Sequence, residues 1–585
     1  MKNLCYLLVV LFLTSCASMK NNLVEDQHKL FEDYNQFNQS LYHKVDHKDP
    51  NKRKGQFSDI SPAHYLKVSN KMASFLDRAQ KIDLSALSDE EKINNQIFQF
   101  QMKSYIESVE FEDYLFPMSG DTGFYFGVLR MGDTTRLNNE KEVIYYLEQL
   151  QDLPNYFQQW TDNMQQGINN GKVLPSITVV DLEKPLATLL VDDFKQSSFY
   201  KPVQNLSKII SDDLAVKYQT QIINTIKDQV QPAIAKMVDF LANTYIPQTR
   251  DSIAITEITD GKEYYQSQIR YYTTLDLNAD EIYAIGLKEV ARIRAEMEQV
   301  IIDSGFKGSF AEFLEFLRTD PQFYAKTPLE LLKEAAYISK KMDGMLPQFF
   351  SKLPRQPYGV EPVPASIAPR YTTGRYSGAP LDSHRAGAYW VNTYALEKRP
   401  LYVLEALTLH EAVPGHHLQS ALTKELKNLP DFRYSYISAF GEGWALYCEK
   451  LGIEAGFYQT PYSQFGRLSY EMWRAIRLVV DTGMHAKGWS RARALEYMES
   501  NTALSKHNVR TEIDRYIAWP AQALSYKMGE IKIVELRAKA EKELGENFDL
   551  RHFHDEILAH GSVPLTILEQ NIERWIEKVK LQLKQ

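Results

Sequence analysis

The residues best suited to chemistry lie in one short stretch, which reads H-E-A-V-P-G-H-H from His410 to His417. Neutral imidazole rings are good zinc ligands, and a carboxylate next to the first ligand can take a proton from an attacking water molecule. The usual pattern for such a site is H-E-x-x-H, which places both histidines on one face of a helix. The stretch therefore indicates a hydrolytic zinc site, with His410 as a ligand and Glu411 as the general base.

The spacing departs from that pattern, because His416 lies six residues and His417 seven residues after His410. In a regular helix with about 100° per residue, a step of six sends two rings to different sides, and a step of seven separates them by roughly 10 Å. Zinc–nitrogen bonds of about 2 Å cannot span that distance. Pro414 and Gly415 favour a local bulge. A bulge that absorbs two residues would make His416 the second ligand, with His417 as the alternative.

The stretch resembles the signature of DUF885, a bacterial family of unknown function, which is similar in turn to the gluzincin peptidases of the thimet oligopeptidase and Taq carboxypeptidase groups. Gly415-His416 matches the Gly-His of their H-E-x-G-H pattern. Gluzincins take a third ligand from a glutamate on a following helix, so the resemblance implies Glu442, in G-E-G-W-A-L-Y-C-E, as that ligand. The resemblance covers most of the chain and is strongest from Tyr389 to Pro564.

Two further residues are expected to contact the ligands on the side away from the metal ion and to orient them. Glu449 lies seven residues after Glu442 and therefore on the same helical face. It resembles the second glutamate of the carboxypeptidase group, and we expect it to orient a ligand through a hydrogen bond. His417 is expected to take a similar supporting position if His416 is the ligand.

The likeness to gluzincins also implies a Tyr or His donor from a later helix, which stabilises the oxyanion of the transition state. Three side chains are candidates for this donor: Tyr526, His485 and Tyr516. Tyr526 is favoured because it shares a helical face with Gln522, and because a phenol stays protonated at neutral pH.

The chain begins with a predicted export signal, residues 1–16. It contains one lysine, an apolar run from Leu4 to Leu13, and a Leu-Thr-Ser-Cys ending at Cys16 that resembles a bacterial lipobox. The apolar run is too short to span a membrane. We expect Cys16 to carry lipid, so that an exported lipoprotein is anchored to a membrane, on a periplasmic or outer-membrane face, through this lipid only. A plain signal peptide is the alternative.

Charge argues against a nucleic-acid partner, and cysteine content argues against a disulfide bond. The chain has 67 basic and 75 acidic residues and a net charge of −8, which argues against a nucleic-acid partner. Cys448 is the one cysteine outside the export signal, so no intramolecular disulfide is expected. Its apolar neighbours predict a place in the core.

Helical periodicity dominates the sequence and predicts a mostly α fold. Asn278 and Glu281 resemble a capping box that opens an amphipathic helix. We expect two helical halves around a deep cleft, as in gluzincins, with a short β-sheet beside the helix that carries the zinc motif. The N-terminal helical region covers residues 17–270, and the catalytic region covers residues 271–585.

Strand signals are few. Residues 252–259 alternate briefly, and Tyr389–Thr393 is a short β-prone run just before the zinc motif. In zinc peptidases a strand at this position commonly has an open edge, to which an extended peptide can add. Tyr389–Thr393 is therefore either that edge or an ordinary hairpin strand.

The segment from Glu471 to His485 predicts an amphipathic helix, because Arg474, Asp481 and His485 share one side and apolar residues cover the other. This polar side is expected either to face solvent or to line the active site.

Together these patterns predict a zinc-dependent metallopeptidase that holds one zinc ion per chain and hydrolyses short peptides. Two alternatives remain open at this stage. One is a lipoprotein that binds a peptide or a metal without catalysis, although a pure binder has no need of Glu411. The other is a zinc amidase that acts on cell-wall fragments.

Overall fold

The computed structural model describes residues 23–41, 55–119, 122–365, 367–380 and 384–584. The chain divides into two compact units, residues 1–261 and 262–585. The predicted export signal and Cys16 lie outside the described residues. Among the residues described, no helix is long and apolar enough to cross a membrane. The prediction of a mostly helical fold with a small sheet is confirmed.

The N-terminal unit is helical, and one hydrophobic core of buried residues between Phe124 and Tyr245 includes its longest helix. Its helices are α1 (23–41), α2 (Pro62–Gln80), α3 (Asp89–Glu110), α4 (Phe126–Thr134), α5 (Glu140–Asn170), α6 (Lys184–Ala187), α7 (Asp212–Thr225) and α8 (Gln231–Phe240). Two short strands, β1 (Met118–Ser119) and β2 (Thr122–Gly123), form an antiparallel pair. The core residues include Tyr146, Leu150 and Phe157 on α5. The predicted strand at 252–259 is wrong, because Ile255–Glu257 forms a short 3-10 turn.

The second unit carries the zinc motif and contains most of the long helices. These are α9 (Gly261–Thr273), α10 (Ala279–Asp303), α11 (Phe310–Thr319), α12 (Pro328–Phe349), α13 (Leu404–Glu411), α14 (His416–Glu425), α15 (Ser438–Leu451), α16 (Pro461–Ala486), α17 (Arg491–Asn501), α18 (Lys506–Ala518), α19 (Ser525–Leu544), α20 (Leu550–Leu558) and α21 (Leu565–Leu583). The predicted capping box is confirmed: Asn278 accepts the N–H of Glu281, and the Glu281 carboxylate accepts the N–H of Asn278. Cys448 is buried in α15, as expected.

Helix α16 is buried on all sides, since every residue from Phe465 to His485 is buried. Of the two alternatives for its polar side, exposure to solvent is therefore wrong. Several of its polar groups have partners inside the protein instead. Asp481 accepts the hydroxyl of Tyr265 at 2.6 Å, for example. A stripe of polar residues in a sequence is compatible either with exposure to water or with hydrogen bonds to buried groups of the protein. In α16 these polar residues face other parts of the protein.

A three-stranded sheet lies directly before the zinc motif in sequence. It consists of β3 (Tyr358–Pro362), β4 (Gly374–Ser377) and β5 (Gly387–Val391), in the order β3-β5-β4. Strand β5 pairs in parallel with β3 and antiparallel with β4. The expectation that the Tyr389–Thr393 strand has an open edge is therefore wrong, because both sides of β5 are occupied. The edge nearest the zinc motif belongs to β4, whose Tyr376 N–H bonds Glu411.

Candidate metal centre

The predicted helix through the zinc motif is broken into two helices. Helix α13 ends at Glu411 and helix α14 begins at His416, and the connection contains a cis peptide bond between Val413 and Pro414. The two extra residues of the spacing are therefore accommodated between two helices. The prediction of a bulge within one helix located the irregularity correctly but not its form.

Gly415 allows the connection to lie against the end of α13. A Cβ atom at this position would lie 1.9 Å from the carbonyl oxygen of His410, so a larger residue would require the backbone to move. The indole N–H of Trp444, on α15, donates to the carbonyl oxygen of Pro414 at 2.9 Å. With the connection held in this way, the ring centroids of His410 and His416 are 4.8 Å apart.

Three side-chain donors converge at this place. One ligand atom from each of His410, His416 and Glu442 lies within 4.8 Å of the others. Oε2 of Glu442 is 3.6 Å from Nε2 of His410 and 3.5 Å from Nε2 of His416. These distances are long for hydrogen bonds, but they are close to the separation of about 3.4 Å between ligands of a tetrahedral zinc ion with bonds of about 2.1 Å. The donor set therefore fits a zinc ion.

A network behind the donors fixes His410. Nδ1–H of His410 donates to Oε1 of Glu449 at 2.8 Å, which leaves Nε2 for a metal ion. The backbone carbonyl oxygen of Glu449 accepts the hydroxyl of Tyr458 at 2.6 Å. The guanidinium of Arg474 lies 3.4 Å from the same Oε1 of Glu449. The Nδ1 side of the His410 ring is thus held by Glu449, and its Nε2 faces the other two donors.

The charges at the donors favour a cation. Burial alone would lower the pKa of His410, but the nearby carboxylates of Glu442 and Glu449 outweigh it and raise the pKa to about 9. Burial alone would raise the pKa of Glu442, but the two histidines lower it well below its usual range, so this carboxylate is ionised. Several carboxylates around two imidazole rings attract positive charge, which is the environment that a divalent zinc ion requires.

Glu411, the predicted base, lies at the end of α13 and is mostly buried. Its Oε2 accepts the backbone N–H of Tyr376, in β4, at 2.7 Å. Its neighbour in the chain, His410, is one of the three donors. Strand β4 therefore orients the residue next to the first ligand.

His417 turns away from the three donors and is almost completely buried. Its Nδ1 is 3.2 Å from the hydroxyl of Tyr376, and its Nε2–H donates to the carbonyl oxygen of Gln356 at 3.1 Å. Burial lowers the pKa of His417 to about 4, so the ring is neutral. The structure thus brings His416 rather than His417 to His410. His417 instead contacts β4, the strand that holds Glu411.

Tyr436 was not recognised from the sequence, although its hydroxyl donates to Oε1 of Glu442 at 3.0 Å. Its side chain is 55% exposed, so it borders both the donor set and solvent. Loss of hydration beside the donor set, together with the negative charge of Glu442, raises the pKa of Tyr436 well above the usual value and keeps the phenol protonated. Gly441 leaves room for the ring, since a Cβ there would lie 2.2 Å from it. Tyr436 precedes α15, so no helical spacing relates it to Glu442.

The hydroxyl of Tyr516 is occupied by other side chains. It accepts hydrogen bonds from Trp473 at 2.9 Å and Arg477 at 2.7 Å, and it donates to Glu512 at 2.8 Å. One donor and two acceptor sites are all that a phenol has. The hydroxyl of Tyr516 therefore has no capacity left for a substrate.

The other two candidate donors differ in their exposure. His485 is completely buried, and its Nε2–H donates to the carbonyl oxygen of Tyr516 at 3.0 Å. Tyr526 is half-buried on α19, and the guanidinium of Arg477 lies 4.2 Å from the centroid of the Tyr526 ring. Tyr526 is therefore the one of the three candidate donors that is not fully buried.

The fold and the site together define a class: a mostly helical protein in which two histidines and one glutamate, carried by three consecutive helices, form a group that could hold a metal ion. The chain belongs to the family described as "Bacterial protein of unknown function (DUF885)", which it matches over residues 45–572. No curated protein matches it.

Two solved structures are similar to this protein. A candidate lipoprotein from Colwellia psychrerythraea is 28% identical, with a TM-score of 0.82 over 88% of this chain and 92% of that chain. A candidate lipoprotein of unknown function from Shewanella oneidensis is 18% identical, with a TM-score of 0.72 over 95% of this chain and 99% of that chain. The second likeness concerns the fold alone.

Proposed function

We propose that this protein is a zinc-dependent metallopeptidase that hydrolyses short peptides outside the cytoplasm. The observation that carries the proposal is the convergence of His410, His416 and Glu442 at the spacing of a tetrahedral zinc ion. Glu411, adjacent to the first of them, supports hydrolysis over metal storage. The Gly-His pair of the motif and the two glutamates of α15 are the basis of the likeness to gluzincin peptidases.

In this proposal each residue has one task. His410, His416 and Glu442 hold the ion, and Glu449 keeps His410 in the tautomer that binds it. A zinc ion in such a site polarises a carbonyl group and makes water more acidic. Glu411 takes a proton from the attacking water at its carboxylate and then delivers it to the leaving amine. The hydrogen bond from Tyr376 orients the carboxylate for both transfers.

The substrate would lie along β4. In the antiparallel pair with β5, the N–H of Asn392 donates to the carbonyl oxygen of Thr373, so backbone groups of alternate residues point away from β5. Tyr376 is one of these residues, and its N–H points to Glu411. An extended peptide that pairs with this outer edge would pass beside the base, which favours short or unfolded peptides.

The experiment that tests the function combines metal analysis with peptide turnover. The soluble form without residues 1–16 should contain one zinc ion per chain and cleave members of a mixed peptide pool. A chelator should abolish cleavage, and added zinc should restore it. Zinc without cleavage of any peptide would favour the binding protein, and cleavage confined to cell-wall fragments would favour the amidase.

A variant of Tyr526 tests the stabilisation of the transition state. Tyr526→Phe should lower kcat by about 10²–10³-fold, with little change in KM, zinc content or melting temperature, because one oriented donor to the oxyanion is lost. Tyr337→Phe is the matched control, since Tyr337 is 66% exposed. If Tyr526→Phe turns over normally and Tyr436→Phe does not, the role belongs to Tyr436. If both are normal, no phenol acts as the second donor.

A variant of Cys16 tests the location. The relative from Colwellia is described as a candidate lipoprotein, and the predicted lipobox ends at Cys16. Cys16→Ser should release the protein from the membrane fraction, since a multiply acylated cysteine anchors a protein stably. A native chain that fractionates entirely with the cytoplasm would refute this location.

A further inference from the structure

Three arginine side chains converge around Tyr526. Arg474 and Arg477 lie on α16 and Arg515 lies on α18. The guanidinium of Arg477 lies between two rings, 4.6 Å from the centroid of Trp473 and 4.2 Å from that of Tyr526. The hydroxyl of Tyr526 interacts with the guanidinium of Arg515. We call these three residues the arginine cluster.

Two carboxylates face the arginine cluster. Glu512 lies 3.0 Å from Arg477 and 3.7 Å from Arg515. Glu449 lies 3.4 Å from Arg474 but is closer to His410, at 2.8 Å. In the ion pairs found within the described ranges, three guanidinium groups therefore share two carboxylates, one of which also serves a metal ligand. The cluster has an excess of positive charge.

The cluster also has donors without acceptors. Nη1 of Arg477 and Nε of Arg474 are buried and have no hydrogen-bond partner in the part of the chain that the structure describes, and the buried Nε of Arg515 reaches only Glu512, at 3.7 Å. Buried charged donors are normally paired, because leaving them unpaired destabilises the folded protein. Arg474 and Arg477 are themselves almost completely buried. The excess positive charge and the unpaired donors together indicate that the arginine cluster binds an anion.

The arginine cluster adjoins the metal centre through one carboxylate. Arg474 contacts Glu449, which bonds His410. The guanidinium of Arg474 also lies 6.0 Å from the ring centroid of Tyr526. A group held by the cluster would thus lie close to a peptide bond at the metal centre.

We propose that the arginine cluster binds a carboxylate of the substrate and selects peptides that carry this group next to the scissile bond. A guanidinium pairs with a carboxylate through parallel, charge-assisted hydrogen bonds, which match the unpaired N–H groups. The carboxylate belongs either to the C-terminus of the peptide or to an acidic side chain. This inference rests on the proposed peptidase function.

The test measures binding without turnover, in Glu411→Gln protein loaded with zinc. Three acetylated tripeptides are compared by calorimetry: a free acid, its C-terminal amide, and an amide that ends in glutamate. At least one of the two acidic peptides should bind about 10–100-fold more tightly than the neutral amide. Preference for the free acid alone identifies the C-terminus, preference for the glutamate amide alone identifies the side chain, and equal tight binding of both shows that the cluster accepts a carboxylate from either source. Equal binding of all three, or no measurable binding, overturns the inference.

Variants of Arg515 separate the cluster from direct contact of the carboxylate with zinc. Arg515 is the most accessible member, with 19% of its side chain exposed. Arg515→Gln should lower the preference about tenfold or more, and Arg515→Lys should keep part of it. Arg491→Gln is the matched control, because Arg491 is paired with Asp514 through two hydrogen bonds. A preference that survives in both Arg515 variants overturns the inference.

The two proposals fail separately. If the wild-type protein cleaves no peptide but the zinc-loaded protein still prefers the acids, the peptidase function fails and the carboxylate site stands. If acids and amides are bound and cleaved alike, the carboxylate site fails and the peptidase function stands.

Discussion

Glu411→Gln should lower kcat by about 10²–10⁴-fold and leave the zinc content and the melting temperature unchanged. The amide has nearly the shape of the carboxylate, and its oxygen can still accept the N–H of Tyr376. It cannot take a proton from the attacking water. The change therefore removes the proposed base but preserves the hydrogen bond that links α13 to β4.

The matched control is Glu405→Gln, on the same helix. Glu405 also accepts a backbone N–H, that of Tyr458, at 3.1 Å. Its replacement should leave turnover near the wild-type value. The wild-type protein and the two variants are compared by steady-state kinetics with one peptide, by metal analysis and by thermal unfolding. A Glu411→Gln protein with wild-type kcat would exclude Glu411 as the base.

The second large effect concerns zinc. His416→Ala should empty the site, because His410 and Glu442 alone are a weak pair of ligands. His417→Ala should keep one zinc ion per chain, since the His417 ring bonds Tyr376 and Gln356 instead. Metal analysis of the two purified variants, with the wild-type protein as reference, measures the difference.

His417→Ala should affect stability instead. It removes a buried ring that lies 4.5 Å from the ring of Tyr358, and it leaves the carbonyl oxygen of Gln356 without its donor. We expect a loss of about 1–3 kcal/mol in the free energy of unfolding, measured by denaturant titration. If His417→Ala loses zinc and His416→Ala retains it, the two histidines have the opposite roles.

Local patterns in the sequence were sufficient wherever neighbouring residues decide the structure. The capping box at Asn278 and Glu281 forms as predicted, because both of its hydrogen bonds lie within one turn. The spacing of seven residues between Glu442 and Glu449 puts both on one face of α15. The residue types of the zinc motif predicted the chemistry, and its spacing predicted that the helix must be irregular.

Contacts between distant segments decided the rest. Spacing left His416 and His417 as alternatives, and the choice depends on the chain between α13 and α14, which Trp444 holds from another helix. Strand β5 was predicted, but its central position was not, because its partners β3 and β4 come from earlier in the chain. The polar side of α16 is buried against protein for the same reason. The sequence by itself therefore determined which groups are available for catalysis and the periodicity of the helices. Only the tertiary structure decided which groups meet, because hydrogen bonds and close packing between segments far apart in sequence position them.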